Sequence, residues 1–451
     1  MKKRVLTALL ATLMIGSTFV GCGGGSDSGS AEEGTVSGTI TVGGWPSGDD
    51  AFKAAEAGFK EKYPDVTIEY NFTDTTSYFQ SLQTALAAGS DADDVAMVEG
   101  ASIGSVRNST ALEDLSKEPY NATKYEEDFV GLKWSQGWNL AGDRLVGIPW
   151  DIGPNTLFYR RDVYDQAGVS SDPDELTELM STWDGVLEVA EKVHAVSDST
   201  WFYPNASYMV TLLFMNRDYF SEDDLSFAID RDGIEEAYNA ALTIRQNGWD
   251  ANVADMWCAE AYAGYADGSI ASVATGAWFG GFLKTDIDPE GSGNWGVTKL
   301  PAGMPASNWG GSYLVMPSQG ENKTTAWAFI EYMLTTAEGQ NTMFEAVDYY
   351  PAYIPAWDDA EIYEAEDPYF GGQKTKELWT EIANAFPQEV FTTVADSTAE
   401  SALYQSINGS LQAGDDWATA REKAITAVQN ECAEALEQQK GYMQDAGLWN
   451  E

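Results

Sequence analysis

From residue 40 onward, the hydrophobic positions change from strand-like to helix-like spacing. Ile40 and Val42 alternate with threonines in a segment that ends at Gly43-Gly44-Trp45, and this alternation predicts a strand. From residue 52 to residue 63, apolar side chains recur every three or four positions, which is the spacing of one helix face. Pro64 follows and is expected to prevent the helix from continuing.

The same two patterns repeat directly afterwards. Residues 66–72 alternate again, 78–86 have helical spacing and stop at Gly89, and 95–98 form a short apolar run. This β-α-β-α-β order predicts an α/β domain with a largely parallel sheet. Further strands are predicted at 146–149, 156–159, 270–274, 295–300 and 314–316, and further helices from Thr182, over 324–336 and over about 416–443.

The N-terminus resembles an export signal. Three basic residues at 2–4 precede a mostly apolar run at 5–20, followed by Gly21-Cys22. The run is shorter than the ~20 residues of a transmembrane helix and fits a signal peptide. A small residue before cysteine resembles the bacterial lipobox, which implies that 1–22 is a lipoprotein signal peptide and that Cys22 is acylated. Phe19 stands where that motif usually has leucine, and an ordinary signal peptide cut elsewhere is the alternative.

The segment after this signal differs in composition from the rest of the chain. Residues 23–34 contain only Gly, Ser, Asp, Ala and Glu, too little apolar surface to offset the entropy of ordering. We therefore expect a flexible tether over 23–35. The remaining residues, about 415, exceed one typical domain and suggest two lobes.

Charge and cysteine content narrow the function classes. The chain has 25 Lys+Arg against 71 Asp+Glu, a net charge of −46. Nucleic-acid binding requires a basic surface and is excluded, and most of these charges serve solubility. Cys258 and Cys432 could form one disulfide or remain two thiols, and the apolar helical stripe around Cys432 favours its burial. With one histidine in the chain, we expect no metal site and no cofactor.

Six fragments in this order resemble the family 1 extracellular solute-binding proteins, a sugar-binding group, over roughly 36–450. They are ITVGGW with the helix ending FKEKYPDVTIEY, YFQSLQTALAAGSDADDVAMVEG, GIPWDIGPNTLFYRRDVYDQAGV with TWDGVLEVAEKV, YADGSIASVATGAW, WGVTKLPAG, and WGGSYLVMP with TTAWAFIEYML. Asp93-Asp94 stands where the family usually has Pro-Asp.

The resemblance implies an α/β, two-lobe fold of the periplasmic-binding-protein type with discontinuous lobes, a hinge and an inter-lobe ligand cleft. Lobe 1 would comprise 36–148 and 299–348, and lobe 2 would comprise 149–298 and 349–451. It also implies a monomeric, non-enzymatic binding protein, anchored by lipid at the extracellular face of the bacterial membrane. Such a protein captures a carbohydrate, here expected to be an oligosaccharide, and delivers it to the permease subunits of an ABC transporter.

A sugar site needs aromatic faces for the C–H surfaces of the rings and carboxylates or amides for the hydroxyls. The chain has 16 Trp and 22 Tyr, and several stand in loops at strand ends, where ligands bind in α/β folds. By the resemblance, Trp278 and the Trp309 segment fall where family members line the cleft. Core packing is the rival role for each Trp, and helix capping is the rival role for Asp74. The candidate ligand-binding residues are Trp45, Asp74, Glu99, Trp150, Asp151, Trp278, Trp309, Gly310, Gly311 and Tyr349.

Two other classes of function use similar residues. An exported glycoside hydrolase also needs aromatics and paired carboxylates, but 71 acidic residues produce such pairs by chance. A binding protein for a polyol, a peptide or a metal ion is the other alternative. Adjacent tyrosines such as Tyr349-Tyr350 resemble those of ferric-ion binders, although the many tryptophans would have no role there.

Overall fold

The computed structural model describes residues 35–449. The predicted signal peptide, Cys22 and the predicted tether up to residue 34 lie outside the described residues. From Val36 onward the described chain forms one compact unit. The helices between 35 and 449 are all too short or too polar to cross a membrane.

Strands and helices alternate along most of the described chain. The strands are β1 Gly38–Gly44, β2 Val66–Phe72, β3 Val95–Glu99, β4 Gly147–Pro149, β5 Asp151–Ile152, β6 Asn155–Arg160, β7 Ser272–Gly276, β8 Trp295–Thr298, β9 Ser312–Val315 and β10 Tyr350–Pro351. The helices are α1 Pro46–Lys62, α2 Thr75–Ala88, α3 Ile103–Val106, α4 Gly131–Gln136, α5 Arg161–Gln166, α6 Pro173–Leu179, α7 Trp183–His194, α8 Ser207–Thr211, α9 Ile234–Gln246, α10 Ala259–Asp267, α11 Phe279–Phe282, α12 Lys323–Thr335, α13 Ala337–Val347, α14 Ala360–Tyr363, α15 Thr375–Asn384, α16 Asp396–Ala413, α17 Trp417–Glu431 and α18 Ala433–Asp445.

The predicted β-α-β-α-β start is confirmed. Pro46 occupies the first turn of α1, where its missing N–H costs nothing, and Phe52 and Phe59 bury the predicted face. Gly89 ends α2 with φ of 70°, a left-handed conformation that favours glycine. Local spacing and end signals therefore define these elements.

The first sheet contains five strands in the order β2-β1-β3-β9-β4. Strand β1 pairs in parallel with β2 and β3, and β9 runs antiparallel to both β3 and β4. Four strands thus point the same way, which confirms the largely parallel sheet predicted for this region.

The second sheet has the order β7-β6-β8, and both of its pairings are antiparallel. Alternate side chains of β6 enter different cores: Phe158 belongs to the core that continues into the first sheet, whereas Leu157 and Tyr159 face a second core. The second core is formed mainly with helices α7, α8, α9, α16 and α17. Burial on both faces explains why β6 is continuously apolar at its centre.

The chain crosses between the two sheets at 150–154 and again at 299–311. The two crossings are hydrogen-bonded to each other, since the Trp309 N–H donates to the Gly153 carbonyl at 2.8 Å and the Gly153 N–H donates to Asn308 Oδ1 at 2.7 Å. A third segment, β10, pairs antiparallel with β5 in the first crossing.

Three sequence predictions need correction. The helix expected over about 416–443 is two helices, α17 and α18, which meet at Cys432. The strand expected at 270–274 begins two residues later, at Ser272. Cys258 and Cys432 are free thiols, so the disulfide alternative is wrong, and the predicted burial of Cys432 is confirmed.

Candidate functional site

A cavity of about 560 Å³ opens where loops from both sheets meet. Seven aromatic residues line it, together with small polar groups, glycines, a proline and two carboxylates. Its lining consists of Trp45, Pro46, Ser47, Thr75, Glu99, Asp151, Trp257, Tyr262, Trp278, Phe282, Trp309, Gly310, Gly311, Ser312 and Tyr349.

Strand ends supply most of the lining. Trp45 directly follows β1, Glu99 is the last residue of β3, and Gly310-Gly311 directly precede β9. From the second sheet, Trp278 follows β7 by two residues. Because a buried strand fixes the direction of the residues at its end, these side chains converge on one place.

Three tryptophans form a continuous wall on one side of the cavity. The ring centroid of Trp257 lies 5.3 Å from that of Trp278 and 5.8 Å from that of Trp309. The indole N–H of Trp278 donates to the Trp309 carbonyl at 2.8 Å, so the two residues are fixed relative to each other. Such a wall offers large apolar faces whose orientation is set before a ligand arrives.

Trp45 and Tyr349 also line the cavity. The Tyr349 hydroxyl donates to Ser47 Oγ at 2.8 Å, which connects the segment before β10 to the start of α1. Burial raises the pKa of Tyr349 to about 12, and the carboxylates of Asp151 and Glu99 contribute to the shift. Tyr349 is therefore a neutral hydrogen-bonding group at physiological pH.

The two carboxylates have different surroundings. Asp151 is buried, and its Oδ1 has no hydrogen-bond partner among the residues that the structure describes. Burial raises the pKa of Asp151 to about 6, and the charge of Lys133 and hydrogen bonds from Ser312 oppose this shift. Glu99 is exposed to the cavity, and loss of surrounding water raises its pKa, again against the charge of Lys133.

Lys133 lies behind the cavity wall. It is fully buried, and its ammonium donates to the Gly310 carbonyl at 3.2 Å and lies 4.4 Å from the ring centroid of Tyr313. Burial lowers the pKa of Lys133 to about 8, although Asp151 and Glu99 act in the opposite direction. The site thus contains one buried cation that interacts electrostatically with two acids.

The turn over Lys133 requires glycine. Gly310 and Gly311 have φ of 81° and 80°, a region that other residues rarely adopt. A Cβ on Gly311 would lie 2.3 Å from the Asp151 carbonyl oxygen and 3.0 Å from the Lys133 ammonium. The pair of glycines therefore lets the backbone approach both groups closely.

The structure brings eight of the ten predicted ligand-binding residues to this cavity: Trp45, Glu99, Asp151, Trp278, Trp309, Gly310, Gly311 and Tyr349.

The other two predicted residues lie outside the lining. Trp150 is fully buried, with its ring centroid 5.1 Å from that of Phe52 and 5.4 Å from that of Tyr349, so it supports the wall from behind. Asp74 is exposed and caps α2, where its carboxylate accepts the Ser77 N–H at 3.0 Å. Capping, the rival role considered for Asp74, is the one that the structure shows.

Sequence reasoning missed Trp257, Tyr262 and Phe282. Trp257 stands in a loop just before α10, and Tyr262 follows in the first turns of that helix. The criterion that selected the other tryptophans was a loop position at a strand end, and Trp257 precedes a helix instead. For Tyr262 and Phe282, both on helices, spacing alone does not distinguish the cavity from the core.

A larger groove of about 910 Å³ lies elsewhere on the surface. Its lining includes exposed acids such as Glu126, Glu222 and Glu389 and the half-buried rings of Trp138 and Trp357. It has no convergence of strand ends, so we assign the ligand site to the smaller, aromatic cavity.

The residues at 35–449 contain no group of three His, Cys, Asp or Glu side chains placed to hold a metal ion. Tyr349 and Tyr350 also point in different directions, because Tyr349 lines the cavity and Tyr350 is fully buried. The adjacent tyrosines therefore do not form a joint ligand pair.

Replacing Asp151 by asparagine should reduce the pH dependence of stability. The folded protein holds the Asp151 proton up to about pH 6, against an ordinary pKa of 3.8, so the unfolding free energy falls as the pH rises through this window. We measure the free energy of unfolding in urea for the variant and for wild type. The value for Asp151→Asn minus the value for wild type should increase by about 1–2 kcal/mol from pH 4.5 to pH 7.5.

Asp74→Asn is the matched control for this experiment. The pKa of Asp74 is lowered by hydrogen bonds from Ser77, and asparagine is an equally good N-cap. The unfolding free energy of Asp74→Asn should therefore not increase relative to wild type over the same pH range. Parallel pH curves for Asp151→Asn and wild type would contradict the raised pKa of this buried carboxyl.

Comparison with known proteins identifies the class. The family model described as bacterial extracellular solute-binding protein matches residues 45–340, and the chain belongs to this family. The chain is 24% identical over 425 residues to the lactose-binding protein of Rhizobium radiobacter, covering 85% of this chain and 87% of the relative.

Solved structures support the fold. A crystal structure of an extracellular solute-binding protein of family 1 superimposes with a TM-score of 0.74 at 20% identity, over 87% of this chain and 99% of that one. The ABC-transporter-associated binding protein from B. animalis subsp. lactis Bl-04, in complex with β-1,6-galactobiose, has a TM-score of 0.68 at 23% identity, over 89% and 98%. The predicted two-lobe, periplasmic-binding-protein-like fold is thereby confirmed.

Proposed function

We propose that this protein captures a saccharide in the aromatic cavity and delivers it to the membrane permease of an ABC importer. Within the saccharides, we propose an oligosaccharide as the ligand. The observation that carries the proposal is the wall of Trp257, Trp278 and Trp309 facing carboxylates at strand ends. Rings of a sugar stack on such faces while its hydroxyls donate to the carboxylates. The lactose-binding relative and the galactobiose complex support the same class of ligand.

The proposed mechanism involves binding and closure, with no bond made or broken. The lobes in this proposal are 36–148 with 299–348 and 149–298 with 349–451, and they turn about the crossing segments at 150–154 and 299–311. Because side chains from both sheets line the cavity, a bound saccharide stabilises the closed arrangement. The closed protein, acting as a monomer, then presents a composite surface to the permease.

We further propose that the protein is tethered to the extracellular face of the cytoplasmic membrane through acylated Cys22. The basic residues, the apolar run and the small residue before this cysteine support the proposal. A tether at 23–35 would keep the binding unit near the permease without fixing its orientation.

A thermal-shift screen tests the function. Residues 36–451 are heated with a panel of plant, host and microbial oligosaccharides that includes lactose and β-1,6-galactobiose. A ligand that binds only the native state adds about 2.7 kcal/mol of stability at a hundred-fold excess over Kd. We expect one related set of glycans to raise the melting temperature. A folded protein that responds to polyols, peptides or metal ions and to no saccharide would refute the proposal.

A further inference from the structure

We propose that the cavity selects saccharides by charge: it accepts uncharged and amino-bearing saccharides, rejects acidic ones, and uses Glu99 as the determinant that faces the ligand. This inference rests on the proposed saccharide function of the same site and names its substrate class more narrowly.

The ionisable groups that line the cavity are acidic or neutral. The lining contains the carboxylates of Glu99 and Asp151 and the hydroxyls of Tyr262 and Tyr349, and no lysine, arginine or histidine is among the lining residues that the structure describes. Burial raises the pKa of both tyrosines, so they remain uncharged. A ligand carboxylate or sulfate would therefore meet negative charge without a cation to pair with.

Lys133 cannot serve as that cation. Its side chain is fully buried, and its ammonium is already engaged by the Gly310 carbonyl and the Tyr313 ring. The backbone closes over it, since a Cβ on Gly100 would lie 2.7 Å from Nζ and one on Gly311 would lie 3.0 Å from it. Lys133 thus offsets part of the negative charge from behind the wall and offers no N–H to a ligand.

Glu99 has capacity left for a donor, because its carboxylate is exposed to the cavity. Asp151 adds negative charge from within the wall, where its Oδ1 is buried without a hydrogen-bond partner within 35–449. Hydroxyl and ammonium groups can satisfy the Glu99 oxygens, whereas an anionic group brings only further acceptors. An ammonium would also be attracted by the faces of Trp257, Trp278 and Trp309.

The net charge of −46 repels anions as well, and salt separates the two effects. Repulsion from the whole surface is screened within about 8 Å at physiological ionic strength. Contact with Glu99 inside the cavity is screened far less. If the ratio of Kd between acidic and neutral saccharides persists from 0.15 M to 0.5 M NaCl, the discrimination therefore comes from groups within the site.

The test uses matched pairs that share a scaffold and differ in charge. The probes are lactose with its 6′-carboxylate analogue (β-1,4-galacturonosyl-glucose), α-1,4-galactobiose with α-1,4-digalacturonate, and cellobiose with its 2-amino counterpart, chitobiose. Kd is measured by calorimetry on residues 36–451 at pH 7.5, in 0.15 M and 0.5 M NaCl. We expect each acidic member to bind at least tenfold more weakly than its neutral partner, and the amine to bind at least as tightly as cellobiose.

Two variants assign the effect to a residue. Glu99→Gln should reduce the acidic-to-neutral ratio of Kd to less than about threefold, because it removes the charge and keeps the shape. Glu222→Gln makes the same change of charge on an exposed residue of the other groove, and should leave the ratio as in wild type.

The outcomes separate this inference from the function on which it rests. An acidic member that binds as tightly as its neutral partner overturns charge selection and leaves saccharide binding in place. A ratio that falls equally in Glu222→Gln assigns the effect to the whole surface and overturns the role of Glu99. A protein that binds none of the six probes, and no member of the oligosaccharide panel, overturns the proposed function and this inference together.

Discussion

Replacing Gly311 by alanine should lower the free energy of unfolding by about 3 kcal/mol or more and abolish saccharide binding. At φ of 80° a Cβ is strained in itself, and here it would also overlap the Asp151 carbonyl oxygen at 2.3 Å. This oxygen belongs to the backbone, so it cannot move away cheaply. Urea unfolding measures the loss of stability, and calorimetry measures binding.

Gly409→Ala is the matched control, since it makes the same chemical change in the opposite environment. Gly409 lies inside helix α16, and no described atom apart from the adjacent residues and the neighbouring helix backbone lies within 4 Å of the position of its Cβ. Alanine in a helix interior is favoured over glycine by about 0.5–1 kcal/mol, so this variant should be more stable than wild type. Equal effects of the two substitutions would contradict the close approach at Gly311.

Trp278→Ala should weaken saccharide binding by at least a hundredfold, which corresponds to about 2.7 kcal/mol. The substitution removes one aromatic face and also the indole N–H that holds the Trp309 carbonyl. Calorimetric titration with the saccharide that gives the largest thermal shift measures the change. Trp278→Phe keeps a ring but lacks the N–H, and we expect an intermediate loss.

Trp183→Ala controls for general destabilisation by the loss of a tryptophan. Trp183 is half-buried at the start of α7, against the second core and outside the cavity. This variant should lose stability and keep its affinity. Unchanged affinity in Trp278→Ala would remove Trp278 from the site.

Local signals in the sequence were sufficient for the elements around the first sheet. The alternation at Ile40 and Val42, the helical spacing from Phe52 and the stop at Gly89 each act over a few residues, and each matches the structure. The second sheet was less predictable. Its antiparallel pairings join β6 to strands that begin more than 100 residues later, and no local pattern records such pairing.

The site could be predicted to the extent that strand ends define it. Glu99 and Trp278 were found because a residue after a buried strand has a fixed place in the fold, whereas Gly310-Gly311 were found through the family resemblance. Trp150 shows the limit of this reasoning. It directly precedes Asp151, yet successive residues of an extended chain point to opposite sides, and only packing against Phe52 and Tyr349 decides which of the two faces the cavity.

The division of the last predicted helix was likewise not predictable from local spacing. Residues 416–443 keep helical spacing throughout, and the break between α17 and α18 lies at Cys432, which is fully buried. The Cys432 thiol faces the Ala395 carbonyl at 3.8 Å, just before α16. A contact with a segment 37 residues away cannot be recognised from the spacing of apolar residues.

A crystal structure of residues 36–451 with the saccharide that gives the largest thermal shift tests the central claim most directly. We expect sugar rings stacked against Trp257, Trp278 and Trp309, with hydroxyls within hydrogen-bond distance of Glu99 or Asp151. A saccharide bound elsewhere, for example in the groove beside Trp138 and Trp357, with the aromatic cavity empty, would contradict the assignment of the site.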